Sequence, residues 1–156
     1  MRRLRFTFIF IAAAVLAAGC GFISHELDYG PTTNLRSVEL VADIDANQYM
    51  ATHVDLVFIY DKAAQPLLPK TAPDWFANRD ALKAGLANGI AVLEMQIVPG
   101  QVNRPVLPRG YGKAIGVYSY ASYSVADGQA VGNLTPYTCA LIALRHTQVN
   151  ITNCTP

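Results

Sequence analysis

Charge is scarce in this 156-residue chain: Asp, Glu, Lys and Arg together make up 15% of it, against about 25% in an average soluble domain. Basic charge is scarcer than the formal net of +1 suggests. Arg2, Arg3 and Arg5 sit at the extreme amino terminus, and the rest of the chain holds nine basic against eleven acidic residues. A nucleic-acid-binding surface needs a basic excess to displace phosphate counterions, so composition argues against a nucleic-acid partner. Catalytic patterns are missing too. Residues 109–116 (RGYGKAIG) are glycine-rich, but Ile115 stands where a dinucleotide loop needs Gly, and Ala114 where a phosphate loop needs Ser or Thr. His25, His53 and His146 lie in three separate segments and form no metal-ligand pair. No serine occupies a G-x-S-x-G elbow. Asp43, Asp45 and Asp55 are close in sequence and read as solvated loop and edge positions rather than as paired carboxylates. The reading is therefore of a protein that is not an enzyme, with no catalytic residue, no metal, no cofactor and no small-molecule substrate.

What is present begins with residues 1–19. A basic head (MRRLR) precedes thirteen residues, FTFIFIAAAVLAA, of which only Thr7 is polar. Head, apolar core and small residues at a cut describe a secretory signal peptide. At about 1.5 Å per residue the core reaches only about 20 Å, short of the roughly 30 Å of a bilayer's hydrocarbon. The segment Leu16-Ala17-Ala18-Gly19-Cys20 resembles the lipobox of bacterial lipoproteins, in which the cysteine thiol receives a diacylglycerol, the signal is removed and the new amino terminus is acylated. Here the large aliphatic residue sits one place early, at Leu16, with Ala17 in its usual position. The resemblance implies a covalent lipid on Cys20. Each buried methylene adds about 0.8 kcal/mol, so several acyl chains on one residue anchor far more firmly than one. Position 21 is Gly rather than Asp, and the resemblance to enterobacterial-type lipoprotein sorting then implies passage to the outer membrane.

The two remaining cysteines, Cys139 and Cys154, form an even pair in an oxidising compartment, which favours a disulfide. It would close a loop of about sixteen residues and stabilise by about 3 kcal/mol. Two thiols, or a zinc site with His146, are the alternatives. Opposed residues of a hairpin bridged this way have numbers summing to a constant, which centres the turn on His146-Thr147. That pair suits a two-residue turn poorly, so a longer loop or a bulge is expected.

Residues 20–36 read as a tether and residues 37–156 as one domain. Alternation marks strands at 37–43, 54–60, 90–98, 114–125, 139–145 and 148–153. The segment 54–60 (VDLVFIY) is apolar on both faces, as a central strand is. On 114–125, Ile115, Val117, Ala121 and Tyr123 share one face, and Tyr118 and Tyr120 the other. Thr71-Ala72-Pro73-Asp74 reads as a helix start. Trp75 and Phe76 are placed to pack that helix on a sheet, and Gly85 and Gly89 predict a short or broken helix. Short strands between Pro/Gly loops predict a mainly β fold, a β-sandwich with a short helical insertion after the second strand.

The order of features resembles the TssJ family, the outer-membrane lipoproteins of type VI secretion systems. The features are the cysteine at position 20, a strand and acidic-Asn loop from Val38 to Asn47, and the strand Val54 to Tyr60. Trp75-Phe76, Val98-Pro99-Gly100 and Leu107-Pro108 before a late strand follow. The resemblance spans residues 38–125, and the family's Asn-Pro-Asp-x-x-Gly stretch is replaced by Asp45-Ala46-Asn47-Gln48-Tyr49. It implies a transthyretin-like sandwich on the periplasmic face of the outer membrane that holds the periplasmic domain of a TssM-like inner-membrane protein. The contact it implies is the loop between the first two strands, at Asp45, Asn47, Gln48, Tyr49 and Met50. A periplasm-facing lipoprotein that binds a small ligand or peptidoglycan is the other reading of the same features. Replacing the lipid-bearing thiol, Cys20→Ser, should abolish acylation and release the protein from membranes. Fractionation of cells expressing the variant checks this, and continued tight membrane association would overturn the lipid assignment.

Overall fold

Two four-stranded sheets face each other across one apolar layer, and a helix covers the outer face of the second sheet. The structure, a computed structural model, describes residues 32–154; the signal segment, Cys20 and the first part of the tether lie outside them. The strands are β1 (Ser37–Ala42), β2 (Thr52–Ile59), β3 (Ile90–Ile97), β4 (Val102–Asn103), β5 (Gly116–Ala121), β6 (Gly132–Asn133), β7 (Cys139–Leu144) and β8 (Val149–Asn153). Their order is β4-β1-β7-β8 in the first sheet and β3-β2-β5-β6 in the second. Every pairing is antiparallel except β1 with β7, which run parallel with Ser37 beside Cys139 and Ala42 beside Leu144.

Period-two patterning builds the layer between the sheets. Val38, Leu40 and Ala42 of β1, Ala140, Ile142 and Leu144 of β7, and Val54, Leu56 and Phe58 of β2 all point into it and are buried. Each fully buried Leu, Ile, Val or Phe contributes about 1.5–3 kcal/mol. Leu35 is wholly buried in the same core, and Thr33 bonds through its backbone N–H to the Ala114 carbonyl at 2.7 Å. The last residues of the expected tether therefore belong to the folded domain.

The helix Ala72–Gly85 is continuous for fourteen residues. The expected break does not occur, because Gly85 ends the helix rather than interrupting it and Gly89 lies beyond. Thr71 starts it: its hydroxyl oxygen accepts the Asp74 N–H at 3.3 Å and its hydroxyl donates to the Asp74 carboxylate at 2.7 Å. Trp75 is wholly buried and stacks on Tyr120 of β5 at 4.8 Å between ring centroids. Tyr118 and Tyr120 face the helix as the alternation predicts, but Ile115 packs with them rather than with Val117, because it precedes the strand proper.

Beneath the helix lies a charge that the sequence placed on the surface. Asp55 on β2 has no solvent exposure. Its Oδ2 accepts the Trp75 indole N–H at 2.8 Å and lies 3.6 Å from Arg79. Directly across the strand pair stands Glu94 of β3. Two opposed carboxylates repel, and Arg79 sits between them, 3.4 Å from Glu94, which also pairs with Lys83. Burial pushes the Asp55 carboxyl above its ordinary value despite Trp75 and Arg79, whereas the Lys83 hydrogen bond holds Glu94 below its own.

Two experiments test this cluster. Trp75→Phe keeps one aromatic ring against Tyr120 but deletes the indole donor; loss of a hydrogen bond to a charged group should cost about 1.5–3 kcal/mol in urea unfolding, with the lost ring volume adding to it. Because folded Asp55 keeps its proton to higher pH than the unfolded carboxyl, its contribution to stability weakens as pH rises from 3.8 through the raised folded value. The unfolding free energy of the native protein minus that of Asp55→Asn should fall across that window; a flat or rising difference would contradict the burial of an ionised group.

Candidate functional site

Loops from four parts of the chain meet at one pole of the sandwich, where β1 ends. They are the β1–β2 loop, the turn after β3, the segment following β5 and the β7–β8 turn. Their centre is a tight left-handed turn at Ala46–Tyr49, in which Asn47, Gln48 and Tyr49 have φ of 48°, 56° and 65°. Left-handed geometry costs a non-glycine residue roughly 1–2 kcal/mol, so three in succession need outside support. The Asn47 side chain supplies it: its amide nitrogen donates to the Ser122 carbonyl at 3.3 Å, and its oxygen accepts the Ser124 N–H at 2.8 Å and the Ser124 hydroxyl at 3.0 Å. From the other side, the N–H groups of Asn47 and Gln48 donate to the carbonyls of Arg145 and His146 at 3.0 and 3.1 Å.

These bonds account for two departures from the sequence expectation. The long strand expected at 114–125 stops at Ala121: the Ser122 N–H still donates to the His53 carbonyl of β2 at 2.9 Å, but the Ser122 carbonyl and the Ser124 N–H turn to Asn47. The β7–β8 register follows the expected constant sum, with Ala140 opposite Asn153, and Cys139–Cys154 is bonded with Cα atoms 5.4 Å apart. Yet no bulge or longer loop appears: Arg145 N–H donates to the Gln148 carbonyl at 2.9 Å, leaving only His146-Thr147 at the tip. The unsuited pair is tolerated because Asn47, Gln48 and the Tyr123 hydroxyl, at 2.8 Å from the Arg145 carbonyl, satisfy the turn from outside. Burial pushes the Tyr123 hydroxyl up to about 12, so it remains a donor at any physiological pH.

The five residues singled out from sequence thus divide. Tyr49 projects into solvent at 72% exposure, its ring edge-on to His146 at 6.1 Å between centroids, and Met50 beside it is also exposed. Gln48 is exposed, its amide oxygen 3.0 Å from the Ser124 hydroxyl, whose one hydrogen it shares with the Asn47 oxygen. Asp45 is half-buried and pairs with His146, 3.4 Å from the imidazole Nδ1. Asn47 is different: at 2% exposure it lies inside the turn and holds the others outward. Sequence reading missed Ile44, the most exposed of them at 81%, and Val98 on the adjoining turn, whose Gly100 N–H bonds the carbonyls of Ala42 and Asp43. An isoleucine between two aspartates was the available signal. Asp43 pairs with Arg145 Nη1 at 2.7 Å and completes a polar border. Beside the turn an open cleft of about 380 Å³ runs to the start of the helix, lined by Met50, Pro73, Phe76, Ser122 and Gln129 among others. Exposed aromatic and apolar side chains inside a polar border form the anatomy of a protein-docking surface.

Two facing sheets with a parallel β1–β7 pair and one covering helix define a transthyretin-like β-sandwich. Within that class the fold is TssJ-like. It is similar to Lip of Serratia marcescens, described as a membrane bound component of the type VI secretion system, with a TM-score of 0.51 at 14% identity, covering 76% of this chain and 96% of that one. It is similar also to the lipoprotein TssJ1 of Pseudomonas aeruginosa, with a TM-score of 0.54 at 16% identity, covering 81% and 99%. A chain from the structure of the TssM C-terminal domain of EAEC gives a TM-score of 0.54 at 13% identity, covering 76% and 97%. No protein-family model matches the chain, and no curated protein matches it in sequence. If the left-handed turn depends on Asn47, Asn47→Ala should cost about 1–3 kcal/mol, the penalty for stranding buried polar groups. Hydrogen exchange should accelerate across residues 43–51; unchanged protection there would show that the turn stands without that side chain.

Proposed function

We propose that this chain is an outer-membrane lipoprotein of a type VI secretion membrane complex, anchored by lipid on Cys20 on the periplasmic face and tethering the periplasmic domain of a TssM-like inner-membrane protein. Its role is structural rather than catalytic. The observation that carries the reading is polarity. The chain enters the sandwich at the Ser37 end of β1, beside Cys139, and the exposed loop of Ile44, Tyr49 and Met50 lies at the other end of the same strand. At about 3.3 Å per residue β1 separates the two by about 20 Å. An anchor on one pole leaves the other free to meet a partner.

The TssJ-like fold supports the reading, and so does the lipobox-like sequence at Cys20. Tyr49 fits the part of an interface anchor, large and costly in little side-chain entropy. Calorimetric titration with the periplasmic domain of a co-encoded TssM-like protein tests the proposal. Tyr49→Ala should weaken binding about 30-fold, equivalent to ~2 kcal/mol. Full-strength binding by that variant would move the contact off the loop, and absence of binding by the unaltered protein would sink the tether.

A further inference from the structure

The sheets have four outer edges, and three of them are blunted. β3 carries Glu94, tied to Lys83 and Arg79 of the helix. β4 has two residues and is followed by Arg104-Pro105. β6 has two residues and is followed by Leu134-Thr135-Pro136. These are the short strands, charges and prolines that keep an edge from pairing. β8 has none of them. It is five residues long, VNITN, without charge or proline, and among the described residues only β7 pairs with it.

The ladder shows which groups it leaves free. Cys154 N–H donates to the Cys139 carbonyl and Arg145 N–H to the Gln148 carbonyl. Hydrogen-bonded pairs alternate with non-bonded ones in an antiparallel ladder. The even-numbered residues of β8 therefore bond to β7, and Val149, Ile151 and Asn153 turn their N–H and C=O groups outward. The Ile151 carbonyl accepts the Tyr137 hydroxyl at 3.3 Å; a carbonyl has a second lone pair to offer. The side chains of Asn150 and Thr152 are exposed on the outer face of the first sheet.

We propose that β8 is a self-association edge, pairing antiparallel with β8 of a second copy of this chain about a two-fold axis at Ile151. The strand is self-complementary in that register. Ile151 meets Ile151, Val149 meets Asn153, and each of these pairs exchanges two bonds, about six in all. Asn150 meets Thr152 across the axis, two neutral hydrogen-bonding side chains, and no like charges are opposed. A second copy is favoured over a charged partner segment because β8 has no charge for one to answer. Five residues a side make a small contact, below the roughly 1,200 Å² of a stable interface, so pairing occurs where copies are concentrated.

The test uses the full chain in its membrane. Asn150 and Thr152 form a non-bonded pair in this register, with Cα atoms about 4.5 Å apart, within the span a disulfide accepts. The double variant Asn150→Cys with Thr152→Cys should give an oxidant-dependent dimer, and neither single variant should. Adding Val149→Pro, which removes an outward N–H and no bond of the β7–β8 ladder, should reduce the cross-linked fraction about tenfold while leaving the Cys139–Cys154 hairpin intact. In detergent extracts, Asn150→Lys with Thr152→Lys should remain monomeric by light scattering, whereas Asn150→Glu with Thr152→Lys should dimerise. Three outcomes overturn the proposal: no dimer in the double cysteine variant, a dimer that appears only after deletion of residues 21–31 (the edge then being covered by this chain's own segment), or capture of a different protein in place of a second copy.

Discussion

A carboxylate with no access to water sits in the middle of β2, and much of the second sheet is arranged around it. Removing a charge from water without partners costs several kcal/mol, so Asp55 can exist there only because the Trp75 indole meets it and Arg79 approaches from the helix. Those two residues stand four apart on one helical face. Satisfying both fixes the rotation of the helix, the stacking of Trp75 on Tyr120 and the bridge of Arg79 to Glu94. It also fixes Phe76, the residue after Trp75 in the helix, at the wall of the cleft beside the β1–β2 loop. A polar interaction in the least polar part of the molecule therefore reaches the rim of the exposed loop pole.

At the loop pole the roles are reversed: a buried amide organises exposed apolar groups. Asn47 bonds to a segment 75 residues away in sequence, and its neighbours bond to another about a hundred away. The backbone strain of three left-handed residues is held in place by these partners, which is how strained geometry persists at sites of recognition. The loop thus has its shape already set, and in the proposed role little ordering entropy would remain to be lost on binding.

The sequence was most legible where period-two burial operates. β1, β2, β3, β7 and β8 stand within a residue or two of their expected limits, and the Cys139–Cys154 pair set the hairpin register correctly because covalent geometry and strand spacing agree. Legibility failed where a distant side chain decides a local conformation. Asp55 alternates like an exposed strand residue, and nothing in its neighbourhood announces Trp75, twenty positions on. β5 ends where Asn47 intercepts it, although the apolar alternation continues to Tyr123. The left-handed turn was hidden because only Asn47 of its three residues favours that geometry. Tyr49 and Met50 were legible as exposed residues of a polar loop, whereas Ile44 and Val98 became a surface only when the turns were folded together. The parallel pairing of β1 with β7, a hundred residues apart, leaves no trace in periodicity.

That parallel pairing has a mechanical consequence. Tension entering at Ser37 and leaving through the β1–β2 loop runs along the backbone of one strand, covalent and already extended, so no hydrogen bond has to open and there is little slack to take up. Tension leaving instead through the His146 turn must cross from β1 to β7, which runs in the same direction for six residue pairs. Parallel strands pulled from opposite ends are loaded in shear, all pairs sharing the force, where a hairpin pulled at one end would unzip bond by bond. The sandwich is thus a splint around a single cable, stiff along the axis that joins its two poles and comparatively yielding across it.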